Sequence, residues 1–105
     1  MTHFNQLTPA EAERLALLAE ECGEVIQVIG KILRHGWDSR NPLLLDSLTN
    51  RQSLEKELGH LSVALALMYE ANDSGSLARM IAHDEKLLTI NQWLHHNEVI
   101  TKEAK

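Results

Sequence analysis

The sequence predicts an all-α protein, and three observations support that fold class. Leucine, alanine and glutamate are abundant, whereas the 105 residues include only two prolines and five glycines. Apolar residues recur at spacings of three and four along three segments, which is the periodicity of an amphipathic helix. The first two segments each begin with a pattern typical of a helix N-terminus. We therefore expect a single domain over residues 1–105, with helices at about 9–35, 51–72 and 76–96.

The first of these helices has a defined beginning and end. Thr8 suits the N-cap, Pro9 suits the first helical position, and Glu11 completes a capping box with Thr8. Gly36 is a natural C-terminal stop, and basic residues precede it in the last turn. The apolar arc between these points consists of Leu15, Leu18, Cys22, Val25, Ile26, Ile29, Ile32 and Leu33.

A loop over residues 37–50 is expected to separate the first two helices. It is longer than a simple connection needs, and long loops often serve as lids. The alternative is that its three leucines, Leu43–Leu45, pack onto the bundle. Both interpretations are compatible with the turn signal at Asn41-Pro42.

The second and third helices have weaker boundaries. Thr49–Gln52 forms a second capping box, and the helix that follows is expected to end near Asn72–Gly75. The third helix starts near Ser76, and the tail from His95 is expected to fray. A chain of this length buries only a modest fraction of its surface. We expect three to four helices per chain, in a bundle completed by oligomerisation.

Charge and cysteine content restrict the class of partner. The formal net charge is −5 with no basic stripe, which argues against a nucleic-acid polymer as the partner. An acidic protein that binds a phosphorylated small molecule needs metal cations to bridge the two anions. The single cysteine, Cys22, excludes an internal disulfide and agrees with a reducing compartment. With no signal peptide and no apolar run long enough to span a membrane, we expect a cytoplasmic protein without membrane contact.

Polar residues interrupt the apolar faces of the first two helices. On a helical wheel, Glu21 falls inside the apolar arc of the first helix and Glu24 on its edge, whereas Glu20 points to solvent. On the second helix, Glu57 falls inside the arc and His60 on its edge. The same order of a candidate ligand, an apolar residue, a glycine and a second candidate ligand thus occurs twice, in Glu21-Cys22-Gly23-Glu24 and Glu57-Leu58-Gly59-His60.

This repeated pattern indicates a metal site between two facing helices. A carboxylate inside an apolar arc is costly unless it is paired or metal-bound. Residues three apart share a helix face, so the two pairs would converge on one small volume. Three carboxylates there would repel one another, and Mg²⁺ or Mn²⁺ would relieve that repulsion. The mid-helix glycines, Gly23 and Gly59, weaken their helices by about 1 kcal/mol each and indicate a tight helix or subunit contact.

Each of these residues also has a structural interpretation that does not involve binding a metal. Glu24 can be a solvated carboxylate at the rim, and His60 can be a structural hydrogen-bonding residue. For Glu21 and Glu57 the alternative is a buried ion pair with a basic residue of the same two helices, namely Lys31, Arg34 or Lys56.

Two motifs carry a resemblance to a known family. Glu20-Glu21-Cys22-Gly23-Glu24 fits the pattern E-E-x-x-E, and Glu57-Leu58-Gly59-His60 stands where E-x-x-D is expected. Over roughly residues 14–72 the chain resembles the MazG-like all-α nucleoside triphosphate pyrophosphohydrolases, which are relatives of the dimeric dUTPases. The resemblance implies a helical bundle that forms a homodimer or homotetramer. It also implies Mg²⁺-dependent hydrolysis of a nucleoside triphosphate to the monophosphate and pyrophosphate.

The same resemblance implies roles for individual residues. Glu21, Glu24 and Glu57 would be metal ligands, His60 would occupy the fourth ligand position, and Glu20 would support the ligands or position the attacking water. The sequence departs from the family pattern at one position, because His60 stands in place of an aspartate. Imidazole is a poor ligand for Mg²⁺ and a good one for Mn²⁺, Zn²⁺ or Ni²⁺. The metal preference is therefore shifted, the site is weakened or inactive, or the histidine hydrogen-bonds a phosphate.

Four further residues are candidates for contact with the nucleotide. Lys31, Lys86 and Arg51 can bind phosphate oxygens, and Trp37 can stack on a base. The competing interpretations are surface charges for the three cations and packing for the tryptophan.

Two other functions compete with hydrolysis of a nucleoside triphosphate. Glu57 and His60 also form half of the Glu-x-x-His pattern of a di-iron carboxylate protein, but the sequence has no second copy of it. A helical module that keeps the fold and has lost turnover through His60 is the other alternative. The sequence does not identify the base or sugar of a nucleotide substrate.

Overall fold

The computed structural model describes residues 4–44 and 46–96. Its elements are α1 (Pro9–His35), α2 (Asn50–Glu70) and α3 (Ser76–Thr89), followed by a 3₁₀ turn at Ile90–Gln92. The described residues contain no strand, which confirms the all-α class. They separate into two compact units that divide between Asp73 and Ser74. The tail beyond residue 96, which was expected to fray, lies outside the described residues.

Reciprocal capping boxes begin the two long helices. At α1, the Thr8 hydroxyl accepts from the backbone N–H of Glu11 at 3.1 Å, and the Glu11 carboxylate accepts from the Thr8 N–H at 2.8 Å. Thr49 and Gln52 make the same pair of bonds at the start of α2. Each box satisfies two backbone donors that the helix cannot satisfy itself. At its other end, α1 stops at Gly36, whose φ of 86° is readily adopted by glycine.

The helices α1 and α2 form an antiparallel hairpin. Arg14 near the start of α1 contacts Asp73 just beyond the end of α2, while the backbone N–H of Arg51 donates to the carbonyl of Trp37 at the opposite end. Val28 of α1 and Ala64 of α2 are the buried apolar residues of the described chain. The small Ala64, at 1% exposure, lies in the contact between the helices.

The hairpin uses only one edge of each apolar arc. The predicted arc of α1 centres on Leu18, whereas the buried residue Val28 lies at its edge, on the side of Glu21. The opposite edge faces solvent, and Leu33 there is 81% exposed. Exposed apolar residues along that edge recur at heptad-like intervals and form what we call the open stripe of α1: Leu15, Cys22, Ile26, Ile29 and Leu33.

The loop between α1 and α2 is held at its base by hydrogen bonds. The backbone N–H of Asn50 donates to the Ser39 carbonyl at 3.0 Å, and the Asn50 side chain donates to the Gly36 carbonyl at 3.0 Å. Leu43 and Leu44 are exposed, the former at 89%, so the packing interpretation is wrong for these two residues. Leu45 lies outside the described residues.

The second unit consists of α3 and the turn that follows it. The third helix was expected to run to about residue 96, but it ends at Thr89 and continues only as the 3₁₀ turn. The Thr89 hydroxyl lies 3.3 Å from the carbonyls of both Glu85 and Lys86, so it competes for acceptors of the last helical turn. No helix in the described part of the chain is long and apolar enough to cross a membrane.

A bidentate ion pair closes the open end of the hairpin. Arg14 Nε donates to Asp73 Oδ2 at 2.6 Å and Arg14 Nη2 to Asp73 Oδ1 at 3.1 Å. Both side chains are largely shielded from solvent, which limits screening of the pair. The hydrogen bond from Arg14 holds the pKa of Asp73 below its ordinary value.

We expect Asp73→Asn to lower the melting temperature at neutral pH. A lowered pKa in the folded state stabilises the fold above the ordinary value of 3.8, and this contribution is lost as pH falls through the lowered pKa. The difference between wild type and variant should therefore shrink towards zero below pH 3.8. Thermal unfolding followed by circular dichroism, at one protein concentration and over a range of pH, measures this difference in melting temperature.

Asp38→Asn is the matched control for this variant. Asp38 is exposed and lies 3.7 Å from Arg51, a geometry that contributes little to stability. Equal melting temperatures for Asp73→Asn and wild type at neutral pH would contradict a stabilising role for the Arg14–Asp73 pair.

Candidate metal centre

Four sequence-predicted ligands lie together between α1 and α2. Glu21 and Glu24 come from α1, and Glu57 and His60 come from α2. Each offers one ligand atom, and these atoms all lie within 4.8 Å of one another. We refer to these four residues as the cluster. A spacing of three residues on each helix brings both members of a pair to the facing side.

The row of residues that each helix turns towards its partner explains why the carboxylates lie between α1 and α2. Glu21 lies seven residues before the buried Val28, and Glu57 lies seven residues before the buried Ala64. Positions seven apart occupy the same row of a helix, so each carboxylate lies in the row that packs against the partner helix. Glu57 is accordingly buried at 8% exposure. Glu21 is half-buried in the same row.

Two carboxylate oxygens in the cluster are buried without a hydrogen-bond donor. These atoms are Glu21 Oε2 and Glu57 Oε2. Buried acceptors without partners are costly, and the cost is larger for a charged group. His60 Nδ1 lies 3.4 Å from Glu57 Oε2 and 3.8 Å from Glu21 Oε2. A bound cation would satisfy both oxygens.

The ion pairs considered as an alternative account for only part of this charge. Lys56 Nζ lies 3.5 Å from Glu57 Oε1, which leaves Glu57 Oε2 without a donor. No ion pair joins Lys31 or Arg34 to Glu21 within the described residues. Among the described residues, Lys56 therefore pairs with one oxygen of Glu57, and neither Lys31 nor Arg34 pairs with Glu21.

Repulsion within the cluster changes the proton affinity of its members. A hydrogen bond with Glu57, followed by repulsion from its charge, raises the pKa of Glu24. The same hydrogen bond lowers the pKa of Glu57, and Lys56 and His60 lower it further. Glu24 is thus the carboxylate that takes up a proton first as pH falls.

The donor set fits a divalent cation. Ligands of one octahedral ion with bonds of about 2.1 Å lie about 3.0 Å apart when adjacent and about 4.2 Å apart when opposite. The separations of 3.4 and 3.8 Å from His60 Nδ1 to the two buried oxygens lie between these values. The cluster as a whole spans up to 4.8 Å, so its ligand atoms would move slightly closer together around a single ion. Three carboxylates and one imidazole suit Mn²⁺ well and satisfy Mg²⁺ through oxygen alone.

The other predicted site residues lie outside the cluster. Glu20 is exposed on α1, next in sequence to Glu21, and Lys31 is exposed further along the same helix. The guanidinium of Arg51 stacks on Trp37, with 4.6 Å from Cζ to the ring centroid, so these two candidates contact each other. Lys86 belongs to the second unit, where it lines an open cleft of about 260 Å³ with His83, Leu87 and Ile90.

Two buried apolar residues of the hairpin were not anticipated from the sequence. These are Val28 and Ala64, and neither was among the residues assigned to an apolar arc. The sequence feature that could have identified them is their spacing of seven residues from Glu21 and Glu57.

Gly23 and Gly59 were expected to mark a tight contact, but a Cβ at either position would meet open space, so no such contact exists within the described chain.

Comparison with known proteins identified no relative of this chain. No protein-family model matches the chain, and no significant match is found among curated proteins or solved structures. Function must therefore be inferred from the residues themselves.

We expect Glu24→Gln to raise the melting temperature of metal-free protein at pH 7. The substitution removes a charge that Glu57 and Glu21 repel, and the raised pKa of Glu24 means that the gain should vanish at acidic pH, where wild-type Glu24 is protonated. Adding Mn²⁺ should stabilise wild type more than the variant. Thermal unfolding with and without chelator measures both effects.

Glu55→Gln provides the comparison, because Glu55 is an exposed residue of α2 outside the cluster. It should leave the response to Mn²⁺ unchanged. If Glu24→Gln destabilises the metal-free protein at pH 7, carboxylate repulsion is not what governs this cluster.

Proposed function

We propose that this protein is a metal-dependent nucleoside triphosphate pyrophosphohydrolase that converts a (d)NTP to a (d)NMP and pyrophosphate. The observation that carries the proposal is the meeting of two Glu-containing pairs on facing helices, with two buried carboxylate oxygens that have no donor. The resemblance of Glu20–Glu24 and Glu57–His60 to the MazG-like motifs supports the reaction class.

Three residues of the cluster, together with Glu20, have defined parts in the proposed reaction. Divalent ions, when bound, neutralise the triphosphate and lower the pKa of a water molecule. Glu21 and Glu57 supply the buried oxygens that hold such an ion, and Glu24 supplies an oxygen at the rim. Glu20, exposed beside Glu21, accepts the proton of the attacking water or orients it. Water adds to one phosphorus of the α,β-anhydride, that anhydride bond breaks, and the nucleoside monophosphate and pyrophosphate separate.

Self-association is part of the proposal. The open stripe of α1 leaves large apolar side chains in solvent, and most of the apolar residues of α2 and α3 are also exposed. Exposed apolar surface of this extent is typical of a protein–protein contact. A homodimer or homotetramer of the MazG-type bundle would cover it. A cytoplasmic location fits the free, exposed thiol of Cys22.

A non-catalytic binding module is the second candidate. It is favoured by one observation, namely that His60 stands where the resemblance expects an aspartate. Such a module would bind metal or nucleotide without turnover.

We expect metal-stripped protein to release pyrophosphate from at least one common NTP or dNTP when Mg²⁺ or Mn²⁺ is restored. Glu57→Gln should lower the rate by at least about tenfold, because loss of a direct ligand costs no less than loss of a residue that supports one. Pyrophosphate and nucleoside monophosphate are both quantified, since equal yields identify the reaction.

Glu55→Gln is the matched control on the same helix, and it should retain the wild-type rate because Glu55 is exposed and outside the cluster. Absence of pyrophosphate from every nucleotide, in folded protein with either metal, would reject the hydrolase and leave the binding module.

We expect Ile26→Glu to dissociate the oligomer. Ile26 is exposed in the middle of the open stripe, so a charge there costs little in the separate chain and much in an apolar contact. Gln27→Glu places a carboxylate on the opposite face of α1 and should leave the assembly intact. Sedimentation velocity distinguishes the states, and a monomeric wild type at micromolar concentration would contradict the proposal.

A further inference from the structure

We infer that His60 makes the cluster select a nitrogen-accepting transition metal, represented by Mn²⁺, over Mg²⁺. This inference rests on the proposed function only for the location of the metal centre, and it concerns which cation occupies it. It assigns His60 as the residue that determines cation specificity.

The position of the imidazole is the first support. His60 Nδ1 lies 3.4 Å from Glu57 Oε2 and 3.8 Å from Glu21 Oε2, and these are the two buried oxygens without a donor. Neither separation is a hydrogen bond, because both oxygens remain without a hydrogen-bond partner. The ring nitrogen therefore faces the same space as the carboxylates and does not already satisfy them. It stands where a fourth ligand would complete the set.

The burial of Glu57 is the second support. The residue has 8% exposure, and its Oε2 is fully covered and without a hydrogen-bond partner. An acidic group at a solvated surface needs no cation, whereas a covered carboxylate oxygen without a hydrogen-bond partner is stabilised by a nearby cation. The cluster is thus more than a group of surface carboxylates.

The chemistry of the ligands determines which cation binds more tightly because of the imidazole. Mg²⁺ prefers oxygen ligands and keeps several waters, so imidazole adds little to its binding. Later divalent metals accept imidazole nitrogen, and their affinity for a given N/O site rises along the series from Mn²⁺. Carboxylates alone already bind Mn²⁺ and Mg²⁺ differently. The informative quantity is therefore the change in the ratio of the two dissociation constants when the imidazole is removed.

The test is isothermal titration calorimetry of chelator-stripped full chain with MnCl₂ and with MgCl₂, without nucleotide. Wild type is compared with His60→Asp, which restores an oxygen ligand. We expect the ratio of the Mg²⁺ to the Mn²⁺ dissociation constant to fall by at least about tenfold in the variant. His83→Gln is the control, since His83 is an exposed histidine 3.1 Å from Asp84 and outside the cluster.

Pulsed electron paramagnetic resonance gives a readout that a purely structural histidine would not produce. Mn²⁺-loaded wild type and His83→Gln should show a ¹⁴N coupling from a directly bound imidazole, and His60→Asp should not. Circular dichroism verifies that each variant is folded. An unchanged dissociation-constant ratio, a missing nitrogen coupling in wild type, or no binding of Mn²⁺ would each overturn the inference.

These outcomes separate cation selection from catalysis. Nitrogen coupling with no pyrophosphate release from any nucleotide would keep the assignment of His60 and reject the hydrolase. Pyrophosphate release with an unchanged ratio would keep the hydrolase and reject the assignment, and it would favour a phosphate contact for His60 instead.

Discussion

Packing of α1 against α2 along one edge of each apolar arc determines where the other features of the hairpin lie. The contact is narrow, with Val28 and Ala64 as its buried apolar residues. Glu21 shares a row of α1 with Val28, and Glu57 shares a row of α2 with Ala64, so the packing that buries these apolar residues also turns the carboxylates towards the partner helix. The same choice of edge leaves the open stripe of α1 in solvent.

The carboxylates of the cluster repel one another near the middle of the hairpin. The polar contacts that join the two helices lie at its two ends. The bidentate Arg14–Asp73 pair closes one end. At the other end, backbone and side-chain hydrogen bonds tie the start of α2 to the loop, and Arg51 stacks on Trp37. These polar contacts hold the helices in register where apolar burial is scarce. They therefore hold α1 and α2 at the positions that bring the cluster residues together.

Sequence reasoning succeeded where a signal was local. The bounds of α1 follow from the capping box at Thr8 and from Gly36, and both depend on adjacent residues. The helical wheel likewise placed Glu57 inside the apolar arc of its helix and Glu20 on the solvent side, and the structure has Glu57 buried and Glu20 exposed. It could not identify the packing edge, because an arc that runs from Leu15 to Leu33 offers more than one edge, and the choice depends on the partner helix. The end of α3 was misjudged because apolar residues continue past Thr89, whose hydroxyl competes for backbone acceptors.

In the proposed metal centre, a neutral imidazole as the fourth ligand gives a different electrostatic balance from a fourth carboxylate. With three carboxylates, one divalent ion leaves the centre with a negative charge, and a second ion makes it positive. A centre with four carboxylates would be neutral with two ions. His60 therefore gives a doubly occupied centre an attraction for a polyanion that the all-oxygen version would lack, whereas a singly occupied centre would repel a triphosphate that arrived without its own cation.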